Sequence, residues 1–168
     1  MDEAAGFVLD AMLIGTGATA TMDLWSVLRK MWFGVPMPDY GMVGRWLAYL
    51  PRGRFRHDPI AATAPVRGEA AIGWISHYLI GMVLAALLLF SVGPDWVSAP
   101  TAGAALLAGA CTVAAPYFIL QPGMGLGIAA RRARNPATAR LHSLVTHLVF
   151  GFGLYLTAQA RVVTTGWL

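Results

Sequence analysis

A chain of 168 residues that is 57% hydrophobic and only 12% charged is not composed like a soluble domain, in which about a quarter of residues are charged. Its apolar residues are gathered into long blocks, more than a core of this size hides from water, so a soluble fold is excluded. The net charge of +4 would suit nucleic acid, but the basic residues mark particular connections between the blocks, as membrane topology requires, and no nucleic-acid partner is expected.

Four blocks, 7–28, 70–92, 101–120 and 141–160, each approach the roughly 20 residues that a helix needs to cross about 30 Å of hydrocarbon. They are continuous, not alternating, and too long for barrel strands. The sequence therefore predicts an all-α integral membrane bundle of four transmembrane helices, forming one membrane domain over 1–168 with connecting loops at 29–69 and 121–140.

The N-terminal MDEAAGFVLD carries only acids and no small-residue cleavage site, which reads as an uncleaved signal anchor. In the first block, LIGTGATATMD has the G-x-G-x-x-A spacing of a dinucleotide-binding turn at Gly15, Gly17 and Ala20. No strand precedes it, so the spacing is coincidental, and the small residues serve close helix approach instead. Asp23 lies about one and a half turns from the end of this block. An acid at that depth costs a few kcal/mol unless it is paired, protonated or wet.

The first loop is too long to be a mere connector. GMVGRWLAYL places Met42, Val43, Trp46, Leu47 and Leu50 on one helical face, with Arg45 and Tyr49 away from it, the pattern of a short helix in the headgroup layer. In the following PRGRFRHDPIAATAPVRGE, three prolines argue against a regular element. Arg52, Arg54, Arg56 and His57 are candidates for holding a lipid phosphate or an anionic ligand; Arg52 and Arg54 are taken as the cofactor-binding pair. The expected partners are the bilayer, an anionic lipid or a hydrophobic small molecule.

In the second block Glu69, Gly73, His77 and Gly81 follow at steps of four and share a stripe, with His77 about 12 Å beyond Glu69. The third block holds the single cysteine, Cys111, so neither a disulfide nor a thiolate pair is available. QPGMGLGIAA after it is again no nucleotide turn, and Asn135-Pro136 is a helix entry. In the fourth block Ser143, His147 and Gly151 repeat the small-residue stripe, and His142 is turned roughly 140° from His147.

Eleven of the twelve basic residues fall in or beside the two long loops; Arg161 is the exception. The positive-inside rule places those loops in the cytoplasm and both termini outside it. Asp23, His77 and His147 then fall at similar depth, and a polar centre shared by three helices is expected. Asp23 and Glu69 are its candidate catalytic acids. His77 and His147 would be cofactor ligands, and with Asp23, His57, Asp58 and His142 they make up the candidate metal set. Such donors suit a hard or borderline metal ion, two facing imidazoles suit haem, and a shielded Asp–His pair suits proton passage. The functions carried forward are membrane redox chemistry on a metal or haem, proton-linked transport as a homo-oligomer, and a structural or assembly subunit. No H-E-x-x-H, C-x-x-C, G-x-S-x-G or Walker pattern is present, and no internal repeat.

GATATMDLW at Gly17–Trp25, VGRW, PRGRF, HD and GW..HY.IG within Val43–Gly81, and AP..ILQP, GIAA, TH..FG and GLYL within Ala115–Leu156 together resemble the bacterial domain-of-unknown-function family twenty-nine thirty-eight. The resemblance implies a small four-span inner-membrane protein and implies no activity. Its pattern includes Asp23, His57, Asp58, Glu69, His77 and His147.

Overall fold

The computed structural model describes residues 2–165, and every regular element among them is helical. The main helices are α1 (Glu3–Phe33), α2 (Tyr40–Tyr49), α3 (Glu69–Val92), α4 (Ala102–Thr112) and α5 (Pro136–Thr165). Four stretches are long and apolar enough to cross a membrane: Glu3–Phe33, Glu69–Val92, Ala102–Gly123 and Pro136–Thr164.

Backbone chemistry sets the helix ends. Gly34 stops α1 in the left-handed conformation (φ 64°), where its N–H bonds the last carbonyls, Arg29 and Lys30. Gly68 (φ 80°) precedes α3 and Gly93 (φ 93°) closes it. Asn135 Oδ1 accepts from the Thr138 N–H at 3.3 Å, and Pro136, which has no N–H to satisfy, opens α5. α4 continues less regularly, through a π-helical stretch at Pro116–Leu120 to a last turn at Gln121–Gly123. Pro116 and Pro122 remove donors from that ladder. α1 outruns its apolar block, because hydropathy marks the depth of hydrocarbon whereas the helix runs on until a residue stops it.

α5 and α1 lie side by side at the middle of an arc; α4 packs on α5, α3 on α1, and α2 on α3. The interior is small: Ala18, Ala85, Ala105 and Ala158 are fully buried beside Ile14 and Leu154. Many large apolar groups face outward, with Phe90 83% and Leu107 66% exposed. That inversion suits a lipid surround, in which close packing of small residues, not expulsion from water, draws helices together. Near the start of α1 and the end of α5 an Asp10–Arg161 ion pair joins the two helices.

Glycine governs each of these contacts. A β-carbon on Gly15 would lie 2.5 Å from the Met82 Cα of α3, and one on Gly81 would lie 2.0 Å from Thr19 Oγ1 of α1. Gly17, two residues on and so about 200° around α1, faces α5 instead, where a β-carbon would meet Thr157 Oγ1 at 2.3 Å. Gly109 and Gly151 let α4 and α5 touch backbone to backbone. The G-x-G of the first block is thus a two-sided helix contact.

α2 lies lengthwise against the first turns of α3. Gly44 is its buried residue, and a β-carbon there would fall 1.8 Å from the Glu69 carbonyl oxygen. Gly73 meets the Tyr40 carbonyl in the same way. Arg45 turns toward α3 and the following loop, donating to both Glu69 carboxylate oxygens at 2.7 and 2.8 Å and to the Thr63 carbonyl at 3.0 Å. The two long loops are hydrogen-bonded to each other, His57 N–H to the Gly123 carbonyl at 2.8 Å and Ile60 N–H to Met124 at 3.1 Å.

Gly15→Val should therefore lower the melting temperature in mild detergent by the equivalent of roughly 1–3 kcal/mol. Gly103→Ala, at a position with nothing within 4 Å, should leave it unchanged. Equal effects of the two substitutions would contradict the backbone contact between α1 and α3.

Candidate functional site

The contact between α1 and α3 has a register of one helical turn. Thr19 meets Gly81, and one turn along both helices Asp23 meets His77. Asp23 Oδ1 lies 3.0 Å from His77 Nε2. Tyr40, delivered by α2 through the close approach at Gly73, donates to Asp23 Oδ1 at 3.2 Å and lies 2.9 Å from His77 Nε2. Tyr78 donates to the other carboxylate oxygen, Oδ2, at 3.0 Å. The side chains of His77 and Asp23 are only 10% and 16% exposed. The Tyr40 ring stacks on the imidazole with centroids 4.2 Å apart, and Trp74 and Tyr78 stand edge-on to it at 6.0 and 5.5 Å.

Asp23 Oδ1, His77 Nε2 and Tyr40 Oη therefore form a triangle with three short sides. Two protons serve it in two ways. In one, an imidazolium and the phenol both donate to a carboxylate; in the other, a carboxylic acid donates to a neutral imidazole. The two differ by one proton moved along the 3.0 Å side. Tyr40 stays a donor in both, since burial, and then Asp23 beside it, push its phenol well above the ordinary value while Arg29 opposes weakly.

The other candidate residues make their hydrogen bonds elsewhere. His147 bonds across α5 to α4, its Nδ1 2.8 Å from Thr112 Oγ1. That hydroxyl donates its one proton to the Gly109 carbonyl at 2.6 Å, so it accepts from Nδ1–H, and His147 Nε2 is left as an acceptor. His142 is half-buried on the same helix and takes no part in the triangle's hydrogen bonds. Glu69 is committed to Arg45 and to the Val66 N–H, which donates to it at 2.8 Å. His57 is buried in the loop, its Nδ1 2.8 Å from Thr63 Oγ1, and burial, then the charge of Arg54, lower its pKa. Asp58 is exposed and pairs with Arg132 at 3.3 Å. Arg52 and Arg54 lie over the Tyr49 ring, 5.0 and 5.5 Å from its centroid.

The expected metal set is thus dispersed: among the described residues no group of three or more His, Cys, Asp or Glu is placed to hold a metal ion. The reason is azimuth. Depth brings His77 and His147 level, but one faces α1 and the other α4. Sequence reasoning missed Tyr40 and Tyr78. Tyr78 adjoins His77 and was open to notice; Tyr40 arrives from a separate helix, and no periodicity signals it.

The family described as "Protein of unknown function (DUF2938)" matches residues 12–161, and the chain belongs to that family. No curated protein and no solved structure matches it.

The Arg45–Glu69 contact carries its own expectation. Arg45→Met and Glu69→Leu should each lower the melting temperature, because each leaves a half-shielded charge without its partner. The double variant should lose clearly less than the sum of the two, as melting curves in one detergent would measure; strict additivity would show that the pair is not coupled.

Proposed function

We propose that this family member is a multi-pass protein of the bacterial inner membrane in which Asp23, His77 and Tyr40 hold a transferable proton, and that it acts in proton-linked translocation. The observation that carries the reading is the triangle of contacts, 2.9 to 3.2 Å on every side. Its two proton arrangements are close in geometry, as a relay needs, and the side chains of His77 and Asp23 are largely shielded. Metal and haem readings draw less support: His77 Nε2 is already engaged, one face of its ring is covered by Tyr40, and His147 is tied to a different helix.

Supporting the orientation, eleven of the twelve basic residues lie toward the loops at 29–69 and 121–140, which the positive-inside rule assigns to the cytoplasm, with both termini outside. Asp23 and His77 then lie in the inner half of the bilayer. The arc leaves α3 and α4 sparingly in contact, so in this reading a solute path is completed by a second copy of the chain. Glu69 serves as the anchor of α2, not as an acid.

The test is proton movement in proteoliposomes carrying a pH-sensitive dye inside. The wild-type protein should dissipate an imposed pH gradient, and Asp23→Asn should slow it by about a hundredfold, the scale of a lost acid–base group. Tyr40→Phe should slow it less, while His147→Ala should leave it near the wild-type rate. If the wild-type protein moves no protons, or if Asp23→Asn melts earlier yet moves them at the wild-type rate, the triangle is a packing device only.

A further inference from the structure

Away from the triangle, the two stitched loops enclose a cavity of about 500 Å³. Arg54, Arg56, Arg131 and Arg132 line it, with Asp58 and His57. Four guanidinium groups against one carboxylate leave the cavity strongly positive. The Asp58 carboxylate is already shared with Arg132, and Arg54, Arg56 and Arg131 make no ion pair among the described residues. His57, 4% exposed, leaves its Nε2 without a hydrogen-bond partner.

The walls are held in place. Gly125 (φ 95°) brings its backbone against the His57 carbonyl, where a β-carbon would lie 2.6 Å away. Arg132 N–H bonds the Leu126 carbonyl at 2.9 Å. Ala129 and Ala130, at φ 47° and 53°, occupy the left-handed region, which costs an alanine energy that glycine would not lose. The chain accepts that cost to turn where Arg131 and Arg132 face the cavity.

Beside this basic cavity runs an apolar groove of about 330 Å³, lined by Trp46, Phe55, Phe118, Ile119 and Ile128. Arg56 and Pro122 line both. Phe118 and Ile119 are 62% and 60% exposed and belong to the apolar stretch Ala102–Gly123, so the groove leads from the basic cavity onto a surface suited to hydrocarbon.

We propose that the cavity and groove form one binding site for an anionic phospholipid, its phosphate among Arg54, Arg56, Arg131 and Arg132 and its acyl chain along Phe55, Phe118 and Ile119. Guanidinium forks suit phosphate oxygens. A soluble anion would use the cavity but gain nothing from the groove, and a neutral apolar molecule the reverse; only an amphiphile fills both. General attraction of basic loops to an anionic membrane, about 1 kcal/mol per residue, would not distinguish these arginines from Arg67, which is exposed and lines neither space.

Native mass spectrometry of the full chain, released from nanodiscs of phosphatidylcholine with a minor share of phosphatidylglycerol, tests the assignment. The wild-type protein should retain one phosphatidylglycerol in preference to phosphatidylcholine. Arg56→Gln with Arg131→Gln should reduce that retention by about tenfold or more, Ile119→Asn should weaken it with every arginine in place, and Arg67→Gln should leave it unchanged. Arg56→Lys, which keeps the charge, guards against a loss caused by misfolding, and should retain more lipid than Arg56→Gln. Equal loss with Arg67→Gln, no preference between the lipids, or full displacement by inorganic phosphate with no effect of Ile119→Asn would each overturn the proposal; the last would assign the cavity to a free phosphate.

Discussion

Contact between helix backbones at glycine is the constraint on which this protein rests. In lipid there is no water to drive apolar surfaces together, so helices associate where small residues let backbone and short side chains interlock. Here Gly15 and Gly81 join α1 to α3, Gly17 and Gly153 join α1 to α5, Gly109 and Gly151 join α4 to α5, and Gly44 and Gly73 join α2 to α3. Because Gly15 and Gly17 face different neighbours, rotation of α1 that relieves one contact closes on the other. The helix is fixed about its axis as well as in position.

The hydrogen-bonded triangle is a product of that fixation. Asp23 lies one turn beyond Thr19, and His77 one turn before Gly81, so the close crossing carries the carboxylate to the imidazole. Tyr40 joins from α2 only because Gly73 admits the Tyr40 carbonyl against α3. Packing and chemistry are thus two readings of the same stripe of residues, 15–19–23 on α1 and 73–77–81 on α3.

Much of this was legible in the sequence, and the reasons differ by residue. The helical class follows from long apolar blocks, since hydropathy is a property of composition. Asp23 and His77 could be singled out because an ionisable group at that depth needs a partner. His147 satisfied the same depth rule, yet it turns to Thr112, because depth fixes height but not the direction in which a helix faces, and the order of helices around a bundle is not written in any one of them. Its stripe-mate Gly151 permits a close approach, and the neighbour it admits is α4. Arg45, set apart from the apolar face of its helix, proved to be there to meet Glu69, and the lengthwise position of α2 depends on a tertiary contact that no local pattern shows.

Tyr40 and Arg45 ride on a single ten-residue helix, one at the enclosed triangle and the other held by Glu69 and the Thr63 carbonyl of the loop. A rod so short does not bend enough to move one end alone. Any displacement of the loop is therefore delivered to the phenol as a tilt of the whole rod, so the peripheral segment and the interior acid are mechanically geared to each other across about one and a half helical turns.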